Sequence, residues 1–413
     1  MRQRSTPWAT GAWVLYDLAN TVFALGVSGL YFASWVKEEG APDSALAIAT
    51  ASAMVVVIIT SPWIGARSDH AGRRIRYLWP MTALAVVPTF FLASVDLIPS
   101  LALFAVALVG FNLGGVVYDA LLPTVSTPAN RGLVSGLGVG FGYVGSFIAV
   151  AVGALLLDQG YDRVFQGIAV MFAVLAIPTF FLIREPARPP APGPPPRLAD
   201  AGRHLIASWR ATSMYTGLRR FLIGRFLYTD AVNTLIGGFL TIFAKEELGF
   251  TETQLEQLLA VAIAFAIVGG LGAGPLVDKF GPRKVLHGVL WMWMIAMTLG
   301  ILAAALDAIG LAWALGGLGG MALGGLWASD RVYMARIAPP HRLGEFYGLY
   351  ATVGRFATVL GPLLWALIVD GLGFSRTVAL GALALFVAAG RVVLAGVDDQ
   401  PRQWPQSSDA STA

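Results

Sequence analysis

The chain has 413 residues, of which 56% are hydrophobic and only 13% charged, and it contains no cysteine. A soluble domain carries about 25% charged residues, so a water-soluble fold is excluded; disulfides and thiol chemistry are excluded with the cysteines. The formal net charge of +4 follows from the sidedness of the loops described below, rather than from an acidic macromolecular partner.

The N-terminus, MRQRSTPW, leads into a long apolar span rather than the short apolar region and cleavage site of a signal peptide. Apolar runs long enough to cross a hydrocarbon core of about 30 Å recur along the whole length. They predict twelve spans, at 12–35, 46–66, 77–95, 99–122, 133–157, 164–183, 221–244, 256–277, 285–305, 309–333, 346–369 and 375–396. With the N-terminus inside, only Lys37, Arg163, Lys245 and Arg376 among the basic residues fall in outer segments. The outer loops are acidic instead, with Glu38, Glu39, Asp43, Asp96, Asp158, Asp162, Glu246 and Glu247. This is the positive-inside pattern, and it places both termini in the cytoplasm of a multi-pass plasma-membrane protein.

The first span opens with Tyr16-Asp17-Leu18-Ala19-Asn20-Thr21, and the seventh repeats the pattern as Tyr228-Thr229-Asp230-Ala231-Val232-Asn233-Thr234. Asp17 and Asn20, like Asp230 and Asn233, are three residues apart and share a helical face. After the second span, Gly65, Asp69, Gly72 and Arg74 recur as Gly274, Asp278, Gly281 and Arg283 at identical spacing. Asp119, Pro128, Arg131 and Gly136 recur, with one inserted residue, as Asp330, Pro339, Arg342 and Gly348. A chain of two parallel membrane halves is the architecture of a secondary transporter with its site between the halves.

The halves are joined by a proline-rich stretch, Glu185 to Pro196, which cannot be helical because proline lacks the donor and clashes in a helix interior. Residues 199–220 mix Leu205, Ile206, Trp209, Met214 and Tyr215 with Arg203, Arg210, Arg219 and Arg220. That mixture reads as a helix lying at the cytoplasmic membrane surface. The expected division is a first half over 1–184, linker and surface helix over 185–220, a second half over 221–397, and a disordered tail over 398–413.

Two more stretches belong to the pattern. The fifth span opens with Arg131-Gly132-Leu133-Val134-Ser135-Gly136-Leu137-Gly138. The loop into the eleventh carries Ile337-Ala338-Pro339-Pro340 and Gly344-Glu345-Phe346-Tyr347-Gly348. The Gly65–Arg74 loop and its copy resemble the signature loop of the major facilitator superfamily. The opening motif of the first span, the fifth span and the loop into the eleventh resemble its vacuole-effluxer branch, relatives of autophagy-linked vacuolar amino-acid exporters. One departure is Asp330, which stands where the resemblance implies a second hydroxyl residue. The resemblance implies an all-α membrane protein of the major facilitator fold, with twelve transmembrane helices in two pseudo-symmetric six-helix halves. It also implies alternating access and export of a small polar solute, amino acids first.

A lone charge at the bilayer centre costs at least about 2.5 kcal/mol on insertion scales, so intramembrane charges should face a water path or each other. Tyr16, Asp17, Asn20, Tyr228, Asp230, Asn233 and Arg355 are the expected substrate or coupling residues, with Arg355 facing an anionic group. Arg225, nearer the cytoplasm, is expected to snorkel. Asp69, Arg73, Arg74, Asp278 and Arg283 are expected to work the inward gate, each Asp capping a neighbouring helix N-terminus. Asp119 and Asp330 are expected to join them by salt bridges to the arginine-rich loops. His70, His204, His287 and His341 all lie in cytoplasmic segments, so a proton relay would have to use Asp. No Walker motif, nucleotide fingerprint, metal-ligand cluster or nucleophile triad appears, which excludes the common enzyme classes and leaves no cofactor or metal to expect. The expected partners are the lipid bilayer, a small-molecule substrate and, as coupling ion, protons; no nucleic acid is expected, and the chain is expected to act as a monomer. Two other readings share these features: an exporter of amphipathic drugs or metabolites, and a non-transporting receptor or scaffold.

Overall fold

A computed structural model describes residues 6–186 and 193–400. Part of the proline-rich linker, 187–192, and the tail from 401 onward, for which extension and disorder are expected, lie outside the described residues. Among the described residues every regular element is a helix.

Ten helices are long and apolar enough to cross a membrane: Pro7–Glu38, Ser44–His70, Leu97–Ala120, Arg131–Gln159, Tyr161–Leu182, Thr253–Phe280, Pro282–Ala305, Ile309–Ile337, Pro340–Gly371 and Arg376–Ala395. The bent pair Leu218–Gly237 and Leu240–Glu246 forms the seventh span. The expected third span is the helix Ile75–Phe90, with Pro80 and Pro88 inside it. It is shorter than its neighbours because the chain turns at Ala93, which has φ 56. Ser100 holds that turn, its Oγ accepting from the Ala93 N–H at 3.3 Å and donating to the Val95 carbonyl at 3.0 Å.

Helix starts follow local chemistry. Thr6 caps the first span by accepting from the Ala9 N–H, with Pro7 in the first turn, where its missing donor costs nothing. Thr251 and Gln254 form a reciprocal capping box at the start of the eighth span. The outer faces keep large apolar side chains exposed, among them Ile48, Val55, Phe181, Leu385 and Val392, as a lipid solvent allows. Inside the first half an aromatic ladder binds the first, fourth and sixth spans: Tyr16 stacks on Tyr118, Phe23 on Phe111, and Phe32 on Phe104, with Phe172 and Phe165 at their edges. The first and seventh spans both loosen into π-helical turns, at Ala24–Tyr31 and Leu235–Phe239. The sequence repeat is therefore also a repeat of backbone irregularity.

The halves meet along two seams at the end of the bundle that carries the arginine-rich loops. In one, the second span lies against the eleventh, and a β-carbon on Gly65 would collide with the Gly344 carbonyl. In the other, the fifth lies against the eighth, and Gly132 touches Gly274 in the same way. Gly274 is the repeat partner of Gly65, so the seams are related by the pseudo-symmetry of the chain. Only glycine lets two backbones come this close. The short helix Ala201–Ala211 packs beside the first seam. Ahead of it, the Pro196 carbonyl accepts from Trp63 Nε1 at 3.1 Å and Arg67 Nη1 at 2.8 Å. Within it, Ser208 Oγ donates to Glu345 Oε1 at 2.5 Å.

Candidate functional site: a cavity with oppositely charged walls

Between the halves lies a cavity of about 440 Å³. Its first-half wall carries Asp17, Asn20, Asn112 and Asp119; its second-half wall carries Arg225, Asn233, Arg331 and Arg355, with Trp327 and Tyr350. On the fourth span, Asn112, Gly115, Val116 and Asp119 share one helical stripe, which explains how a single helix presents them all. The acids thus come from one half and the guanidinium groups from the other.

Arg331, which its position in sequence puts at the arginine-rich end of the tenth span, reaches across the interface instead. Its Nη2 donates to Asp17 Oδ2 at 3.0 Å and to the Ser135 carbonyl at 2.7 Å, and its Nε to Ser135 Oγ at 2.7 Å. Asp119 Oδ1 lies 3.7 Å from its Nη1. The guanidinium lies over the Trp13 ring, 4.6 Å from the centroid. Sequence reasoning overlooked Arg331; its signal is that it directly follows Asp330 in a span otherwise poor in charge.

A second ion pair is internal to the second half. Arg225 Nη1 donates to Asp330 Oδ2 at 2.7 Å and to Thr229 Oγ1 at 3.0 Å. Tyr350 and Tyr228 donate their hydroxyls to Asp330 at 2.6 and 3.2 Å. Arg225 also stacks on Tyr350, 3.5 Å from the ring centroid. Two expectations are corrected here. Arg225 is buried and does not snorkel. Asp330 meets Arg225 rather than the loop arginines, because its side chain points between the seventh and eleventh spans of its own half. Asp119, its repeat partner, faces the cavity and Arg331.

The other expected site residues divide. Asp17, Asn20, Asn233 and Arg355 all line the cavity. Asn233 is held by the Gly354 and Ala357 carbonyls, and Arg355 has no carboxylate partner among the described residues. Tyr16 does not line it: its hydroxyl is 2.6 Å from Thr82 Oγ1 in the first-half core. Tyr228 lies behind Asp330. Asp230 departs most, since its carboxylate faces the backbone N–H groups of Val359, Leu360 and Gly361 of the eleventh span without forming a hydrogen bond of normal geometry. Thr229 takes the cavity position instead.

The expected gate residues gather at the seams. Asp278 accepts from the backbone N–H groups of Gly132 and Leu133 at 2.6 and 2.7 Å, capping the fifth span across the interface. Asp69 accepts from the Glu345 N–H at 3.0 Å, capping the eleventh, and from Arg74 Nη2 at 2.6 Å. Each carboxylate meets the positive end of a helix. Arg74 and Arg283 are not equivalent: Arg283 donates its N–H to Asp399 and its Nη2 to the Ala395 carbonyl, not to Asp278. Arg73 is exposed and meets no carboxylate among the described residues. Among the described residues no group of His, Cys, Asp and Glu could hold a metal ion.

The MFS-type transporter YxiO of Bacillus subtilis is 27% identical over 94% of this chain and 94% of its own length. Autophagy-related protein 22 of Kluyveromyces lactis is 27% identical over 70% of this chain and 62% of its own length. Among solved structures, the human organic anion transporter MFSD10 superposes with a TM-score of 0.76 at 15% identity, covering 94% of this chain and 98% of that one. A bacterial homologue of the iron transporter ferroportin in its outward-facing state superposes with a TM-score of 0.75 at 15% identity, covering 95% and 99%. The two structures show the major facilitator fold. The family model described as "Vacuole effluxer Atg22 like" matches residues 33–402. With twelve helices in two pseudo-symmetric halves around a charged central cavity, the chain belongs to the Atg22-like vacuole-effluxer family of major facilitator transporters, and it is a transporter rather than an enzyme.

Proposed function

We propose that the protein exports a small polar solute, amino acids first among the candidates, by rocking its two halves about the central cavity. The observation that carries this reading is the opposition of charge across the interface, with Asp17 and Asp119 on one wall and Arg355 on the other. A zwitterion of matching size would complement both walls at once. The family's description as vacuole effluxers supports efflux, and the positive-inside pattern supports a cytoplasmic arginine-rich end in a bacterial-type plasma membrane. With the seams shut at that end, this is, on that reading, an outward-facing state. Protons are the proposed coupling ion, carried by aspartates since no histidine lines the cavity.

The test is counterflow into proteoliposomes across an unbiased panel of amino acids, organic acids, amines and amphipathic drugs. Amino acids should exchange, and drugs should not. Exchange confined to drugs would replace the amino-acid reading with the amphipathic one. Reporter fusions after Ala41 and after Arg197 should give opposite sidedness; the same sidedness at both would invert the assigned orientation.

A further inference from the structure

The cavity's first-half wall carries two carboxylates and no cation of its own, and a cation from the other half already fills part of it. Asp17 and Asp119 share Arg331, so one guanidinium faces two carboxylates. On the same stripe as Asp119, Asn112 is 6% exposed. Its Nδ2 donates to the Leu108 carbonyl at 2.7 Å, which leaves Oδ1 as the free end of the amide. That oxygen has no donor among the described residues. Leaving a buried acceptor unmet costs about 1–3 kcal/mol, so an unmet acceptor in a cavity wall points to a ligand donor. Gly138 makes room for the arrangement: a β-carbon there would lie 2.7 Å from both Arg331 Nη2 and Asp17 Oδ2.

Every partner of the Arg331 head belongs to the first half, while Arg331 itself belongs to the second. Any motion that parts the halves at the arginine-rich end therefore withdraws Arg331 from its socket. Asp17 and Asp119 are then left close together with no cation, an arrangement that like charges resist. We infer that Asp17 and Asp119 form the docking site for a substrate's primary ammonium group, with Asn112 two helical turns away as an acceptor for the rest of the same substrate, and that Arg331 is a tethered competitor for the ammonium. An ammonium brings donors to both carboxylates and replaces the charge that Arg331 withdraws. It enters when the arginine-rich end is open, and the returning Arg331 displaces it when that end shuts. A tethered group competes at an effective concentration in the millimolar range without being consumed. Loading from the arginine-rich side and expulsion towards the other follow from where the competitor is anchored. This rests on the transporter reading above and adds to it the substrate's cationic group and the device that releases it.

The experiment compares purified wild-type protein with Arg331→Gln, using the proteinogenic amino acids and their N-acetyl derivatives as probes in a binding assay. N-acetylation removes the ammonium and keeps the carboxylate. Arg331→Gln should tighten amino-acid binding by about tenfold or more, the equivalent of at least about 1.4 kcal/mol, and leave N-acetyl derivatives unchanged. Adding Asp119→Asn should abolish the gain. A gain shared equally by the N-acetyl derivatives would make Arg331 a plain gate and overturn the competition. So would a gain that survives the addition of Asp119→Asn, or no gain at all. Should Arg331→Gln fail to fold, Ser135→Ala removes one of Arg331's acceptors while keeping every charge. It should give a smaller gain with the same selectivity, and no selectivity would again overturn the inference. Wild-type counterflow of amine-free solutes alone would leave the transporter reading intact and remove the ammonium site.

Discussion

Asp278 of the second half accepts a 2.6 Å hydrogen bond from the backbone N–H of Gly132 in the first. Its repeat partner Asp69 does the mirror job from the first half, accepting from Glu345 of the second at 3.0 Å. The seal is thus a two-fold exchange, in which each half caps a helix that belongs to the other.

Neutralising either carboxylate should loosen the seal. A hydrogen bond to a charged group contributes about 1.5–3 kcal/mol, so Asp278→Asn should shift the equilibrium towards opening at the arginine-rich end by about tenfold or more. Because the chain has no cysteine, a single Ala328→Cys at the buried interface is a clean reporter, and its labelling by a thiol reagent should accelerate. Unchanged labelling would mean that Asp278 is not part of the seal.

Filling a seam should have the opposite geometry and the same outcome. Gly65→Ala places a methyl group against the Gly344 backbone, and overpacking of this kind costs about 1–3 kcal/mol. Transport should fall sharply while the melting temperature in detergent changes little, since each half keeps its own core. Normal turnover with an intact seam would show that the backbones have more room than they display.

The Arg225–Asp330 pair is fully inside the second half, and breaking it should damage stability before function. Removing one partner of a buried pair costs about 3–5 kcal/mol in soluble proteins. Asp330→Asn should lower the melting temperature, and Arg225→Met with Asp330→Asn should recover part of the loss, because no uncompensated charge remains. A double variant less stable than either single one would contradict the pairing.

Arg355 should behave in the reverse way. It has no carboxylate partner among the described residues, so Arg355→Gln should leave the melting temperature close to wild type. Exchange of solutes bearing a carboxylate should fall by at least about tenfold, since a guanidinium–carboxylate contact is lost. Retention of carboxylate exchange would move the anion site elsewhere.

Much of this architecture is legible in the chain. The recurrence of Gly65, Asp69 and Arg74 as Gly274, Asp278 and Arg283 reveals two parallel halves because each repeat sits between the second and third spans of its half. The capping role of the aspartates follows from charge and helix polarity alone. Facing within a helix is harder to read. Asp17 directly follows Tyr16, whereas Thr229 separates Asp230 from Tyr228, and one extra residue turns a helix by about 100°. Aligned on the tyrosines, Thr229 is the counterpart of Asp17 and faces the cavity, and Asp230 is turned towards the eleventh span. Arg331 is hidden for another reason: its long side chain carries its charge to the opposite half, and no pattern within the tenth span records where the head ends up.

The segment joining the halves makes the two seams unequal. Pro196 is held by Trp63 and Arg67 of the second span, and Ser208 by Glu345 of the eleventh, so this stretch touches both sides of the first seam. After the last span, Asp399 touches Arg283 and Arg336, which belong to the second half alone, and among the described residues none of its hydrogen bonds or ion pairs reaches the fifth span. A door with a strap on one edge swings about that edge. The fifth and eighth spans should part first, and the second and eleventh should serve as the hinge.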